Sequence, residues 1–131
     1  MQPIGLIRAP YASLTEVPRH GGLSPKVKAR IELLPEFAEG ARDIRAGDTI
    51  LVLFYFDRHH DYDLVTTSRK TGQIMGVFST RSPRRPNGIG ASVVTVTHAA
   101  SGELEFTGVD MVDGTPVLDI KPVDTTPVGV T

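Results

Sequence analysis

The sequence contains no cysteine and no tryptophan, and it has no long apolar run. Without cysteine, a disulfide framework, a thiolate metal site and a cysteine nucleophile are excluded. The longest apolar run, residues 50–56, is far shorter than the roughly 20 residues that a transmembrane helix needs. The first residues also lack the basic and apolar regions of a signal peptide. These absences lead us to expect a cytoplasmic domain that does not contact a membrane.

The chain also has almost no excess of positive or negative charge, because the formal net charge is only −1. This value excludes a globally basic nucleic-acid binder. A local basic face can still bind RNA, since binding depends on the patch and not on the total charge.

Proline and glycine, in contrast, are frequent, with 10 and 13 residues among 131. Their spacing favours short strands over long helices. Apolar alternation over residues 26–34 predicts a strand with one polar face, and the almost continuous apolar run over residues 49–56 predicts a strand buried on both faces. Further strands are predicted over residues 4–8, 64–67, 74–79, 91–98, 103–107 and 116–120, with one helix over residues 36–44.

The predicted fold class is therefore mainly β, a small β-barrel or tightly curled sheet of about seven strands with one short helix. We expect one domain over residues 1–123 and an extended C-terminal tail over residues 124–131.

The segment that we call the arginine loop, residues 76–90, carries three arginines and two prolines over residues 81–86 and closes on Asn87-Gly88-Ile89-Gly90. Proline fixes its own φ angle and restricts the residue before it, so this loop loses less entropy on ordering than a flexible one. Arginine grips carboxylate or phosphate with a planar fork of donors. The loop is therefore either a binding site or a solvated basic turn.

A second block, residues 110–122, concentrates carboxylates around the turn sequence Asp113-Gly114-Thr115-Pro116. Asp113 is a turn former or a functional acid. Asp119 lies within an otherwise apolar strand and is tolerated there if it faces solvent or pairs with Lys121 or an arginine.

Other chemistries have little support in the sequence. His59-His60 resembles a metal cluster only superficially, because adjacent residues on a strand point to opposite faces, so no metal site is expected. No Gly-x-Ser-x-Gly nucleophile motif, dinucleotide-binding glycine motif or P-loop is present.

Both blocks, together with Ile4-Gly-Leu-Ile-Arg-Ala-Pro-Tyr11 and Val17-Pro-Arg-His20, resemble the TsaA-like (TrmO) family over nearly the whole chain. The resemblance implies a methyltransferase that uses S-adenosylmethionine on a small β-barrel. Characterised members methylate the N6 nitrogen of threonylcarbamoyladenosine beside the tRNA anticodon and work as homodimers. The expected partners are therefore tRNA and a second copy of the chain.

The same resemblance implies which residues form the site. The expected cofactor contacts are Pro18, Arg19, His20, Asp57, Arg58, Arg81, Ala91, Asp110, Met111, Val112 and Asp113. Arg81, Asp110 and Asp113 are the candidate catalytic residues. Arg81 would bind the carboxylate of the cofactor. Asp110 or Asp113 would either stabilise the sulfonium or accept the proton of the attacking nitrogen. Arg84, Arg85 and Asn87 are the candidate substrate-binding residues.

Two alternatives stay open at this stage. The same fold could methylate a small molecule or another RNA, or it could be a non-catalytic module that binds S-adenosylmethionine. Tight cofactor binding without turnover would be the signature of the second alternative.

Overall fold

A computed structural model of the chain describes residues 2–10, 28–55, 61–108 and 111–123. Eight strands lie in these residues: β1 (Gly5–Arg8), β2 (Lys28–Leu33), β3 (Thr49–Tyr55), β4 (Val65–Thr67), β5 (Ile74–Gly76), β6 (Ile89–Ala100), β7 (Glu103–Thr107) and β8 (Pro116–Pro122). Six of them close an antiparallel barrel in the order β1-β2-β7-β6-β3-β8, and β4 and β5 form a separate two-stranded sheet. The predicted fold class, a mainly β barrel, is confirmed.

The helical content of the described residues consists of two 3₁₀ segments, Pro35–Ala41 and Val77–Ser79. The first replaces the helix predicted over residues 36–44. The second replaces the end of the strand predicted over residues 74–79, since β5 stops at Gly76. Within the described ranges, no helix has the length and apolar character needed to cross a membrane.

The core fills the barrel with one side-chain row from each strand. In β2, for example, Ala29 and Ile31 are buried while Lys28 and Arg30 are exposed. The prediction that residues 49–56 are buried on both faces is wrong, because β3 alternates between buried and partly buried positions as antiparallel barrel strands do. The fully enclosed core side chains of the barrel include Ile7, Ile31, Val52, Val96, Leu104, Phe106 and Val117.

The two ends of the barrel differ in the connections that they carry. One end, which we call the loop rim, is marked by Arg8, Lys28, Tyr55, Ile89, Thr107 and Pro116, the strand termini where the β1–β2, β3–β6 and β7–β8 connections leave or enter the barrel. The opposite end carries the β2–β3 connection and the tight β6–β7 turn at Ser101-Gly102, where Gly102 has a φ of 77°. The long connections that contain both sequence blocks therefore share one end of the barrel.

Closure between β1 and β2 depends on Gly5. Gly5 lies opposite Leu33, and a Cβ atom at this position would overlap the carbonyl oxygen of Glu32. The strands would have to separate, so we expect Gly5→Ala to lower the free energy of unfolding by about 1–3 kcal/mol in chemical denaturation. Gly40→Ala is the matched control, because a Cβ there meets nothing within 4 Å. Equal stability of the two variants would contradict the prediction.

Candidate functional site at the loop rim

The connections at the loop rim carry nearly every residue that the sequence assigns to the site. The β1–β2 connection contains Pro18, Arg19 and His20, and Asp57 and Arg58 follow β3; these five and Asp110 lie outside the described residues. The described candidates are Arg81, Arg84, Arg85, Asn87, Ala91, Met111, Val112 and Asp113. Topology places their segments together, although they are far apart in the sequence.

Arg81 and Ala91 meet directly. The Nη1 atom of Arg81 donates a hydrogen bond to the carbonyl oxygen of Ala91, at 2.8 Å, and the Arg81 side chain is exposed. This bond fixes one end of the guanidinium against the first residues of β6. Two residues expected to bind the cofactor therefore form one unit.

Asp113 is held at the end of β1. Its Oδ1 atom accepts a hydrogen bond from the Ala9 amide at 3.1 Å, and the neighbouring Gly114 amide donates to the Ile7 carbonyl at 2.7 Å. Gly114 has a φ of 84°, a left-handed conformation that glycine adopts without steric cost. Asp113 can therefore be both a turn former and a functional carboxylate, because the turn orients its carboxylate towards the end of β1.

Met111 and Val112 are both buried, and Met111 belongs to the barrel core. The Val112 carbonyl already accepts hydrogen bonds from the Thr115 amide and from the Thr115 hydroxyl, the latter at 2.7 Å. Side-chain contact between Met111 and a ligand would require the core to open, and the Val112 side chain is almost completely covered. Their expected contribution to cofactor binding is therefore limited to main-chain contacts.

The residues expected to bind substrate differ in how they are held. Arg84 donates from Nε to Asp63 Oδ2 at 2.9 Å, and this hydrogen bond raises the pKa of Arg84. Arg85 bends back over its own loop, donating from Nη1 to the carbonyl oxygens of Thr80 and Ser82. Asn87 is exposed. A substrate phosphate would therefore share Arg84 with Asp63, and would find Arg85 already oriented.

A cavity of about 380 Å³ opens beside Asp113 at this rim. Its volume falls within the roughly 300–1,000 Å³ of small-molecule sites. Arg8, at its wall, is paired with Glu32 at 2.7 Å, and this hydrogen bond raises the pKa of Arg8 with a smaller contribution from the charge of Asp113. The lining residues are Arg8, Ala9, Pro10, Lys28, Ala29, Arg30, Glu105 and Asp113.

Three lining residues, Lys28, Arg30 and Glu105, are not among the site residues that the sequence predicts. Lys28 lies 3.3 Å from Glu105, and the Thr97 hydroxyl and Lys28 together lower the pKa of Glu105. The alternating charges of the β2 segment were a visible signal, but only the pairing of β2 with β7 shows that they border a cavity. Arg81 and Ala91 are not among the residues that line it.

The two clusters, Arg81 with Ala91 and Asp113 with Ala9, lie on either side of β3. Ala91 is in β6, whereas Asp113 precedes β8 and Ala9 follows β1, and both β6 and β8 pair with β3. No group of three or more acidic or histidine side chains suited to a metal ion is found in the part of the chain that the structure describes. The arrangement is that of a barrel domain whose candidate ligand site is built from connections at one rim and contains both arginines and a carboxylate.

Comparison with known proteins identifies the class of this barrel more closely. Residues 6–126 match the family described as the tRNA-methyltransferase O N-terminal domain. The chain belongs to this family, as its sequence motifs predict.

Individual relatives agree with this membership. A probable S-adenosyl-L-methionine-binding protein of Archaeoglobus fulgidus is 39% identical over 96% of this chain and 34% of its own length. The tRNA (adenine(37)-N6)-methyltransferase of Escherichia coli is 38% identical over 92% of this chain and 56% of its own length. A crystal structure of TrmO from Pseudomonas aeruginosa superimposes with a TM-score of 0.77 at 39% identity, covering 93% of this chain and 54% of that chain.

The chain thus spans about a third of the first of these relatives and about half of the other two. The name of the first relative contains the expected cofactor, S-adenosylmethionine, and the name of the second contains the expected reaction class.

Proposed function

We propose that this domain binds S-adenosylmethionine at the loop rim and transfers its methyl group to the N6 nitrogen of threonylcarbamoyladenosine beside the tRNA anticodon. The observation that carries the proposal is the convergence at one rim of all three connections that hold the predicted site residues, in a member of the tRNA-methyltransferase O family. The named reaction of the Escherichia coli relative supports the acceptor nitrogen.

The residues at the rim fit this cofactor. S-adenosylmethionine supplies an activated methyl group on a sulfonium, together with a carboxylate that needs a cationic partner. Arg81 offers a planar fork to that carboxylate, and the hydrogen bond to Ala91 reduces the side-chain freedom that would be lost on binding. Asp113 offers a negative charge to the sulfonium from a fixed position on the turn before β8.

Methyl transfer needs the attacking nitrogen, the methyl carbon and the sulfur in line, so the protein contributes mainly by positioning. The nitrogen that receives the methyl group would have to give up its proton, and the chain would have to supply the acceptor of that proton. Asp110 and Asp113 are the proposed acceptors of this proton, since a carboxylate is a general base if it lies within hydrogen-bond reach of the nitrogen. Arg84, Arg85 and Asn87 are proposed to hold the RNA.

The test combines two measurements on the purified protein. Calorimetric titration with S-adenosylmethionine should give saturable binding, and labelled methyl should pass to tRNA that carries threonylcarbamoyladenosine but not to the same tRNA without that modification. Binding without transfer to any RNA would favour a non-catalytic binding module. Absence of both would overturn the proposal.

We further propose that the active form is a homodimer and that the β4–β5 sheet forms the contact. The barrel itself is closed and offers no free edge, but Val65 and Ile74 project from one face of this small sheet and are largely exposed. Leu64 beside them is also exposed. Contiguous exposed apolar patches mark interaction sites, and these neighbouring side chains support a subunit contact here.

A charge in this face should separate the subunits. We expect Ile74→Lys to shift the mass measured by light scattering from dimer to monomer while leaving the circular-dichroism spectrum of the folded subunit unchanged, because the side chain is largely exposed on its own subunit. Val93→Lys is the control, since Val93 is similarly exposed on the barrel wall. Dissociation by Val93→Lys alone would place the contact on the barrel instead.

A further inference from the structure

One aromatic side chain of the arginine loop is presented to solvent. Phe78, in the 3₁₀ segment Val77–Ser79, is 76% exposed, whereas its neighbour Val77 is 1% exposed. A single exposed apolar residue needs no explanation by itself. The surroundings of this ring are what distinguish it from the other exposed apolar side chains.

The backbone beneath Phe78 is anchored on both sides. The Val77 amide donates to the Leu64 carbonyl at 2.9 Å, and the Val77 carbonyl accepts from the Thr80 amide and from the Thr80 hydroxyl, at 3.0 and 2.9 Å. With the Val77 side chain buried as well, the ring projects from a fixed base. Its exposure therefore belongs to an ordered segment.

One face of the ring is covered by a cation that the loop itself holds. The guanidinium carbon of Arg85 lies 5.9 Å from the centre of the Phe78 ring. Arg85 is kept there by the carbonyl oxygens of Thr80 and Ser82, at 2.8 and 3.1 Å, and not by the ring alone. A guanidinium at this distance attracts an aromatic face, so the ring is oriented before any partner arrives.

We propose that Phe78, backed by Arg85, is a stacking platform for an unpaired nucleobase of the RNA substrate. Sequence-specific binding to RNA loops relies on splayed bases that stack on aromatic rings and on arginine. The same loop supplies Arg84 for the charges of the partner, which suits an anionic partner such as RNA. This inference rests on the proposed function, because it assumes that the acceptor is RNA.

The neighbouring apolar face on the β4–β5 sheet suits a protein partner better than this ring does. Ile74 is 77% exposed, as much as Phe78, but its pairing partner across the sheet is Thr67 and not a cation. The control is therefore taken from outside this sheet: Val93, on the barrel wall, is also an exposed apolar side chain without aromatic character.

The experiment uses a tRNA anticodon stem-loop with 2-aminopurine placed at each loop position in turn. At the position that stacks, wild-type protein should quench the fluorescence. We expect Phe78→Ala and Phe78→Leu to weaken binding about 5- to 150-fold and to abolish the quench, as loss of one stacked base predicts, while Phe78→Trp keeps both. Val93→Ala should leave both unchanged.

Three results would overturn the platform. Full affinity in Phe78→Leu would mean that the site needs only an apolar group. A weaker affinity for S-adenosylmethionine in Phe78→Ala would assign the ring to the cofactor, and a change of mass in light scattering would assign it to a subunit contact. If the wild-type protein methylates tRNA and the Phe78 variants bind RNA equally well, the platform alone is refuted. If the wild-type protein neither binds RNA nor methylates it, the proposed function is refuted as well.

Discussion

Replacing Arg81 by alanine is expected to weaken binding of S-adenosylmethionine about 10- to 150-fold and to lower methyl transfer at least as much. The range follows from the roughly 1.5–3 kcal/mol of a hydrogen bond to a charged group. The unfolding midpoint should barely change, because the side chain is exposed and its hydrogen bond goes to one carbonyl, that of Ala91. Calorimetry, a labelled-methyl assay and thermal denaturation measure the three quantities.

Two controls make this result specific to the site. Arg81→Lys keeps the charge but loses the fork, so it should recover only part of the affinity. Arg42→Ala removes an equally charged, exposed side chain that pairs with Glu39 at the other end of the barrel, and it should leave activity intact. Equal loss of stability and activity in Arg81→Ala would mean that Arg81 serves the fold.

Substitution of Asp113 should separate its two roles. In Asp113→Asn, Oδ1 is retained as an acceptor for the Ala9 amide, but the negative charge is lost. We therefore expect wild-type stability with methyl transfer lowered about 100-fold, the size of effect attributed to one general base. Asp113→Ala loses the acceptor as well, so its free energy of unfolding should fall by a further ~1 kcal/mol.

Asp119→Asn is the matched control for the loss of charge. Asp119 is exposed on β8, where its Oδ1 accepts from the Ile120 amide and its Oδ2 lies 3.7 Å from Lys121. The methyl-transfer activity of Asp119→Asn should equal that of the wild type. Unchanged methyl transfer in Asp113→Asn would mean that Asp113 serves only to form the turn.

The strands were predictable because their side chains alternate. The pattern of residues 26–34 anticipates β2, and the β-branched residues of 49–56 anticipate β3, although the apolar outer face of β3 concealed its one-sided burial. The 3₁₀ segment at Pro35–Ala41 resembles a short α-helix in sequence, but it begins after Leu34 without a side-chain cap and contains Gly40. Local propensity does not separate these helix types over so few residues.

The site was predictable in composition but not in arrangement. Asp119 pairs with Lys121, which the sequence allowed, whereas the hydrogen bonds from Arg81 to Ala91 and from Ala9 to Asp113 depend on the order of strands around the barrel. The exposure of Phe78 was also hidden, since residues 74–79 form a plausible strand until β5 ends at Gly76. These hydrogen bonds and this exposure can be recognised only in the tertiary structure.

Closure of the barrel also has a kinetic consequence. The last seam joins β1 to β8 through the pairs Gly5–Val117 and Leu6–Pro116, which bring together opposite ends of the described chain. Contacts so distant in sequence are slow to form, because loop-closure entropy is lost before they contribute. On the ribosome, the first strand must therefore wait until nearly the whole domain has emerged, and β1 spends synthesis without one of its two neighbours.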